Sequence, residues 1–301
     1  MDWDKVRIFH AVAEAGSFTH AGETLNLSQS SVSRQIGALE KTLNTLLFHR
    51  HARGLRLTET GETLYRTAQE VAAKIAMAEA MVLDSRDRPS GPLRITTTVA
   101  FGSIWLTERL KNFIEAYPEI QVTLMVSEDE LDVGMGQADV AIRMTPPRQA
   151  DLIQRRLATM HHAAFAAPSY LNEHGTPHSL EDLDRHRLIA YDLAAHPPFT
   201  EINWMLRGGV APGRTRHPVL SVNNIYGMYR AAASGLGIAS LPDYMGQFAN
   251  DLVPVLTQME GPAFDIYLVY PEELRNSQRI MVFRDFIVRR IASDRALKTL
   301  K

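Results

Sequence analysis

One short stretch of the chain combines an apolar helical stripe with side chains that can contact nucleic acid. Between residues 28 and 43, apolar residues recur at spacings of four, three and four, which predicts a helix with one buried face. These residues are Val32, Ile36, Leu39 and Leu43. The opposite stripe carries side chains that hydrogen-bond to bases or phosphates, namely Gln29, Ser30, Ser33, Arg34 and Lys41. Ser28 stands at the expected N-cap, where the amides of the first turn point outward.

A preceding helix and a basic hairpin frame this stretch. The step Asn26-Leu27 separates it from a helix that Ser17 or Thr19 could cap, which is the layout of a helix-turn-helix. The run 49–58 has Gly54 at a plausible tip with cations on both sides, as a wing has. Residues 28–58 hold five basic residues and one acidic residue, and clustered cations favour phosphate contacts, although any single arginine could be a solvated surface charge. The predicted DNA-binding residues are Ser28, Gln29, Ser30, Ser33, Arg34, Lys41, Arg50, Arg53 and Arg56.

The same region carries a family pattern. In order and spacing, the residues that carry it are Phe9, Ala21, Leu25, Ser28-Gln29, Val32-Ser33-Arg34-Gln35-Ile36, Leu39-Glu40, Leu47-Phe48, Arg50, Arg53, Leu57-Thr58 and Gly61. Through them the chain resembles the LysR-type transcriptional regulators, and the resemblance extends over essentially its whole length. The chain departs from the family pattern at three positions. Gly22 stands where the family usually has a second Ala, Ser30 where Pro is frequent, and Asn44 where Gly is usual. Glycine weakens a helix by up to about 1 kcal/mol, whereas Asn tolerates the left-handed conformation that ends one.

A heptad-like seam follows the wing, with no Gly or Pro between Glu62 and Arg88. Its residues step by four and three: Leu64, Ala68, Val71, Ile75, Ala78 and Val82. This period fits a coiled coil, or a helix packed on its own domain. Because a DNA reader usually needs two-fold symmetry to cover two half-sites, we favour a dimer helix, as the resemblance also implies. The run 86–92, with two prolines and a glycine, should break the helix and mark the main domain boundary.

From about Leu93 to Ile291, strand-like and helix-like segments alternate, which predicts α/β units around mostly parallel sheets. The run 232–242 fits a helix, a glycine turn and a buried strand. The resemblance implies two lobes joined by crossing strands, as in periplasmic binding proteins, with lobe one at about 92–165 and 267–293 and lobe two at about 166–266. The expected fold is a winged helix-turn-helix (all-α with a small β wing) at 1–60, a linker helix at 61–90 and a bilobal α/β effector domain at 91–301.

A ligand of such a domain should bind beyond the carboxyl ends of the strands. Residues 98–103 follow the first strand at a predicted helix N-terminus, where exposed amides suit an anion. Arg143 could bind an acid in a bidentate manner; alternatively it pairs with Asp139 or Glu128, and Ser103 only caps its helix. The predicted effector contacts are Thr98, Phe101, Ser103, Ser127, Arg143 and Asn223.

Catalytic and metal chemistry find little support in the residue pattern. The chain has no cysteine, which excludes disulfides, thiolate metal sites and cysteine nucleophiles. Adjacent His161 and His162 would point to opposite faces of a strand, and the three histidines from His174 to His186 match no zinc spacing. A nucleophile elbow, a phosphate-binding loop and a dinucleotide fingerprint are all lacking. We therefore expect no enzyme activity, metal or cofactor; the alternative is a bilobal binding module or enzyme whose N-terminal unit serves assembly only.

Composition and length agree with a multidomain globular protein. The chain has 301 residues, 45% hydrophobic residues and a net charge of −2, with no apolar stretch of membrane-spanning length and no signal-peptide pattern at its start. We expect a cytoplasmic protein whose partners are double-stranded DNA and a small, anionic effector. The resemblance adds a homodimer, commonly paired into a homotetramer, and RNA polymerase as a candidate partner. Phe283, Phe286 and Ile287 should pack a C-terminal helix onto lobe one.

Overall fold

The computed structural model describes residues 2–51, 54–83, 88–146, 149, 151–195, 197–199, 201–248, 251–294 and 297. The chain divides into two compact units, Met1–Leu83 and Asp84–Lys301. Among the helices of the described ranges, none combines the length and the apolar character that crossing a bilayer requires.

The N-terminal unit consists of helices around a small hairpin. Its elements are α1 (Trp3–Ala15), α2 (Phe18–Leu25), α3 (Gln29–Leu43), β1 (Phe48–His51), β2 (Gly54–Leu57) and α4 (Glu59–Leu83). The first three helices each end at a residue with left-handed backbone, at Gly16, Asn26 and Asn44, where φ is 60°, 54° and 51°. Asn44 therefore ends α3 in the conformation for which glycine is usual, as predicted. Ser17 occupies the N-cap of α2 without a side-chain capping bond.

A single apolar core joins α1, α3 and the hairpin. Val32, Ile36 and Leu39 are buried as the stripe predicts, whereas Leu43 is 37% exposed in the last turn of α3. The rings of Phe9 and Phe48 lie 5.3 Å apart between centroids and connect α1 to the wing. The core thus fixes the outward face of α3.

Two glycines allow close backbone approaches in this unit. A Cβ on Gly22 would lie 2.6 Å from the Leu27 carbonyl oxygen, so the glycine that should weaken α2 lets the turn close against it. A Cβ on Gly61 would lie 2.1 Å from the Leu47 carbonyl oxygen. Thr58 Oγ1 accepts a hydrogen bond from the Gly61 amide at 2.9 Å and caps the start of α4. The base of α4 is therefore held against the wing.

The predicted seam of α4 divides into two parts. Ala68 is buried in the core of the N-terminal unit and Leu64 packs against that core. Val71, Ile75 and Ala78 are exposed, and the Val82 side chain lies outside the described part. The interpretation of one continuous dimer seam is therefore wrong for Leu64 and Ala68, because the first turns of α4 use the same period to pack on their own domain. Of the predicted breaker at 86–92, residues 86 and 87 lie outside the described ranges, and a strand begins at Gly91.

The C-terminal unit is built on a mixed sheet. Its strands are β3 (Gly91–Thr97), β4 (Ile120–Val126), β5 (Val140–Arg143), β6 (Leu152–Ala166), β7 (Leu188–Tyr191), β8 (Leu220–Val222), β9 (Ile238–Pro242), β10 (Val253–Val255) and β11 (Ala263–Pro271). Its helices are α5 (Thr107–Ala116), α6 (Pro168–His174), α7 (Trp204–Arg207), α8 (Ile225–Ala233) and α9 (Gln278–Ser293). In the described residues the strands run in the order β4-β3-β5-β11-β6-β9-β7-β8, with β10 paired to β6.

Parallel pairing is confined to the two lobes. In lobe one β3 pairs in parallel with β4 and β5, and in lobe two β7 pairs in parallel with β8 and β9. The crossing strands β6 and β11 pair antiparallel with each other and with their lobe neighbours. The expectation of mostly parallel sheets is therefore corrected to a mixed sheet, because the chain passes between the lobes and back along one pair of strands.

Two local predictions for this unit are confirmed. Phe283 and Phe286 of α9 are buried, with ring centroids 5.4 and 5.2 Å from that of Phe113 in lobe one. The run 232–242 contains the end of α8, a left-handed Gly235 with φ 82° and the buried strand β9. The helix expected to follow residues 98–103 begins earlier, at residue 99, and contains a π-helical turn, Phe101–Leu106, before α5.

Candidate nucleic-acid interface and ligand cleft

The start of α3 is fixed by serine side chains. Ser28 is the N-cap residue, and its Oγ accepts a hydrogen bond from the Ser31 amide at 3.2 Å. Ser30 Oγ lies 3.1 Å from Ser28 Oγ, so the serine that departs from the family pattern joins the cap. The first turn of α3, with Gln29, is exposed. The first turn of α3 is therefore accessible to a groove of duplex DNA.

Three cations of this face are exposed: Arg34 and Lys41 on α3, and Arg56 on β2. Across the described residues, none of the three forms an ion pair with an acidic side chain. We call them the three free cations. Ser33 is half-buried, and the Arg50 side chain and Arg53 lie outside the described part. Gly54, the predicted tip of the wing, instead begins β2.

The acidic residue of this region is used inside the fold. Glu40 Oε1 accepts hydrogen bonds from the Leu47 amide at 2.8 Å and from the Phe48 amide at 3.4 Å. A carboxylate that accepts backbone N–H bonds at the base of the wing ties β1 to α3. The Glu40 carboxylate is thereby engaged by the backbone of the N-terminal unit, and it forms no ion pair with the three free cations.

In the C-terminal unit, a cleft of about 920 Å³ opens at the carboxyl ends of β3, β4 and β5. Its described lining includes Thr96–Thr98 at the end of β3, 127–132 after β4, 142–146 at the end of β5 and beyond it, Gln149, and Pro197 and Pro198 from lobe two. Of the predicted contacts, Thr98, Ser127 and Arg143 lie in this lining.

The other three predicted contacts lie elsewhere. Phe101 is fully buried, with its ring centroid 4.8 Å from that of Trp105 and 5.9 Å from that of Tyr244, because the helix begins earlier than expected and includes this position. Ser103 is exposed within the π-helical turn, outside the lining. Asn223 is exposed and accepts a hydrogen bond from Asn224 Nδ2 at 3.1 Å, also outside the lining. Their assignment as effector contacts is not supported by these positions.

Both groups that the sequence offered to an anion already have partners. Arg143 Nη1 lies 3.3 Å from Glu130 Oε2, and its Nη2 donates to the Leu131 carbonyl. The Val99 amide, at the start of the helical segment, donates to Glu128 Oε1 at 3.2 Å. Arg143 thus pairs with Glu130 rather than with the two predicted alternatives, Asp139 and Glu128.

Several lining residues were missed by the sequence interpretation. They are acidic or buried: Thr97, Glu128, Asp129, Glu130 and Asp132. The acidic run 128–130 directly after β4 was a readable signal, because residues that follow a parallel strand line the ligand edge of the sheet. Burial raises the pKa of the Glu128 carboxyl; the hydrogen bond from Val99 opposes this rise and the nearby Asp129 charge adds to it.

Beyond Glu128 the cleft narrows to an apolar end with room of about 20 Å³. Aromatic and apolar side chains line it, chiefly Met144, Phe199, Ile225, Tyr244 and Phe264. His162 also lines this end, and burial lowers its pKa to about 3, so the imidazole is neutral at pH 7. Trp204 Nε1 donates to Ser240 Oγ at 2.8 Å, and Ser240 Oγ lies 2.9 Å from His162 Nδ1. With its hydroxyl accepting from Trp204, Ser240 is free to donate to the ring.

A winged helix-turn-helix joined to a two-lobed α/β unit defines a class of DNA-binding regulators that carry their own small-molecule-binding domain. Family models agree: "Bacterial regulatory helix-turn-helix protein, lysR family" matches residues 3–62, and "LysR substrate binding domain" matches residues 86–292. The chain belongs to the LysR-type transcriptional regulators, which are not enzymes.

Named relatives extend over nearly the whole chain. An HTH-type transcriptional regulator of Xanthomonas campestris pv. campestris (strain 8004) is 30% identical over 97% of this chain and 86% of its own length. The regulator CrgA of Neisseria meningitidis serogroup C (strain 8013) is 29% identical over 97% of each chain. The full-length structure of AphB, a virulence activator of Vibrio cholerae, has a TM-score of 0.60 at 29% identity and covers 96% of this chain and 99% of its own.

Proposed function

We propose that this regulator binds double-stranded operator DNA with α3 in the major groove and the wing on the backbone. The contacts would come from Ser28, Gln29, Ser30, Ser33, Arg34, Lys41, Arg50, Arg53 and Arg56. The observation that carries this proposal is the set of three free cations on α3 and β2, together with the exposed first turn of α3, while Glu40 is engaged elsewhere. Unpaired cations on one face supply the phosphate contacts on which DNA affinity depends.

Genomic fragments pulled down with the purified protein, followed by footprinting at two salt concentrations, test this proposal. We expect a pseudo-palindromic protected site that weakens steeply with salt. Arg34→Ala should lower affinity about tenfold to a hundredfold, whereas Arg275→Ala, an exposed arginine of the other unit, should leave it unchanged. If no fragment is enriched between about 50 and 200 mM salt, the DNA-binding proposal fails.

The distal half of α4 is proposed to join two copies of the chain. Val71, Ile75 and Ala78 are exposed apolar residues on one stripe of a 25-residue helix, and a second copy would bury them. Ile75→Glu should shift the protein towards monomer in sedimentation experiments, whereas Lys74→Glu, at the adjacent exposed position, should not. A dimer that survives Ile75→Glu would contradict this interface.

The proposed assembly has a DNA-binding domain at 1–60, a linker at 61–90 and an effector domain at 91–301, with tetramer formation through the effector domains and RNA polymerase as a further partner. We expect it to act in the cytoplasm. A small molecule in the cleft would shift the lobe arrangement by binding one arrangement more tightly than the other. The anionic effector expected from sequence would have to displace Glu130 from Arg143 or Glu128 from the Val99 amide.

A further inference from the structure

The lining of the cleft is acidic. Its charged members among the described residues are Glu128, Asp129, Glu130, Asp132 and Arg143. Arg143 pairs with Glu130. Asp132 accepts hydrogen bonds from the Met135 amide at 3.1 Å and from Gln149 Nε2 at 2.9 Å. Glu128, Asp129 and Asp132 therefore have no ion-pair partner among the described residues, and of these three Asp132 is held by two neutral donors.

Those two carboxylates are close enough to affect each other. The charge of Asp129 contributes to raising the pKa of Glu128, and the Asp129 carboxylate has no hydrogen-bond or ion-pair partner among the described residues. Two like charges at one edge of a cleft disfavour each other's ionised form, and a positive charge between them would relieve this. In the described part of the lining, the cation Arg143 pairs with Glu130 rather than with Glu128 or Asp129.

A buried hydroxyl of the lining also lacks a partner. Thr97 lines the cleft and is 4% exposed. In the described structure Thr97 Oγ1 forms no hydrogen bond. Buried polar atoms normally have partners, so this oxygen marks a position at which a polar ligand group would supply one.

The narrow end supplies aromatic faces next to the carboxylate. Glu128 and Thr98 line both the wide cleft and the narrow end, where Phe199, Tyr244 and Phe264 lie. The rings of Phe199 and Phe264 are stacked, with centroids 5.4 Å apart. Aromatic faces beside a carboxylate are the side-chain set that attracts organic ammonium groups.

We infer that the cleft takes an organic cation, an amine or quaternary ammonium compound, with its charged group at Glu128 and Asp129 and its carbon body in the cleft. This inference rests on the proposed function, in which the cleft receives the effector. A bare metal ion fits less well, since no group of three or more His, Asp or Glu side chains among the described residues is arranged to hold one.

The test compares three molecules that share one ring and differ in the charge of the head group: benzylamine, benzyl alcohol and benzoate. Thermal unfolding of the full chain is measured with each at equal millimolar concentration and matched ionic strength. Benzylamine, which is protonated at pH 7, should raise the midpoint more than benzyl alcohol, and benzoate should raise it least. An equal response to all three, a stronger response to benzoate, or a response to magnesium chloride alone would overturn the inference.

Two charge-removing variants localise the effect. Asp129→Asn removes a carboxylate that has no partner, and Glu128→Gln keeps an oxygen that can accept from the Val99 amide. Each should weaken benzylamine binding about tenfold in calorimetry, because one charge contact at the edge of a protein is of that order. Glu119→Gln, an exposed glutamate outside the lining, is the matched control and should bind benzylamine as the parent does.

Footprinting on the same preparations separates the two levels of the proposal. A protected operator together with preferential benzoate binding would overturn the cation and leave the DNA-binding regulator intact. A preparation that binds benzylamine preferentially yet protects no DNA would refute the operator proposal and leave the proposal of a cationic ligand intact.

Discussion

The nucleic-acid interface and the cleft treat charge in opposite ways. On the interface the acidic Glu40 is engaged by backbone amides and the three free cations face outward. In the cleft the cation Arg143 is engaged by Glu130, while Asp129 remains without a partner among the described residues. Each region engages a charge of one sign within the chain and has exposed, unpaired charge of the other sign among its described residues. Charges left unpaired at low cost to the fold are thus better indicators of a partner than the composition of either region.

Lowering the pH should reduce the stability of the unit that holds the cleft more than that of the unit that holds the nucleic-acid interface. This is the largest effect we expect. The pKa of His162 at the narrow end is lowered to about 3 by burial, so below about pH 6.5 the unfolded state binds a proton that the folded state refuses. Stability of the C-terminal unit should be fully present above that pH and fall by about 1.4 kcal/mol for each unit towards pH 3.

Urea unfolding followed through Trp204, which shares the Ser240 hydroxyl with His162, measures this loss at about pH 7 and pH 5. His162→Gln should flatten the difference between the two pH values, and His217→Gln, at an exposed histidine, should preserve it. An unchanged pH dependence in His162→Gln would show that another group controls acid unfolding.

Replacing Glu40 tests the comparison at the nucleic-acid interface. Glu40→Ala leaves the Leu47 and Phe48 amides without their acceptor, which should cost the N-terminal unit about 1–3 kcal/mol. Glu40→Gln keeps an oxygen acceptor and should cost less. Urea denaturation measures both, and operator affinity of the folded Glu40→Gln protein should not decrease. Equal losses for the two variants would mean that the charge of Glu40, rather than its acceptor geometry, holds the wing.

Of these variants, Asp129→Asn should change the free energy of unfolding least, and it should raise that free energy rather than lower it. Removing a carboxylate that has no partner relieves repulsion at Glu128, so the ligand-free protein should become more stable by a few tenths of a kcal/mol. The expected readout is a slightly higher unfolding midpoint without ligand, with Glu119→Gln as the control. A lower midpoint would assign Asp129 a role in holding the fold.

The interface was more predictable from sequence than the cleft, for physical reasons. The stripe of Val32, Ile36 and Leu39 fixes which face of α3 points outward, because helical periodicity is local. The Arg143–Glu130 pair and the bond from Val99 to Glu128 join residues 13 and 29 positions apart. Such pairs depend on how loops close around the strand ends, which spacing does not specify.

The linker and Phe101 show two further limits. Apolar residues spaced four and three apart are expected both in a helix packed on its own core and in a coiled coil. The spacing therefore could not show that Ala68 is buried in the core whereas Ile75 is exposed. Phe101 was expected in the segment that precedes the helix, whereas the helix already includes it, in the π-helical turn Phe101–Leu106. Helix boundaries are set by the last few hydrogen bonds, and a shift of a few residues exchanges a cleft position for a core position.

The contact between Gly61 and the Leu47 carbonyl makes the wing and the base of α4 one mechanical piece. In a dimer joined along the distal half of α4, the phase of that helix then sets the direction in which each wing points. One residue inserted between Ala68 and Val71 would turn each wing by about 100° about the axis of α4. In such a dimer, the length of α4 between the core of the N-terminal unit and the dimer contact therefore determines the spacing of the two DNA half-sites.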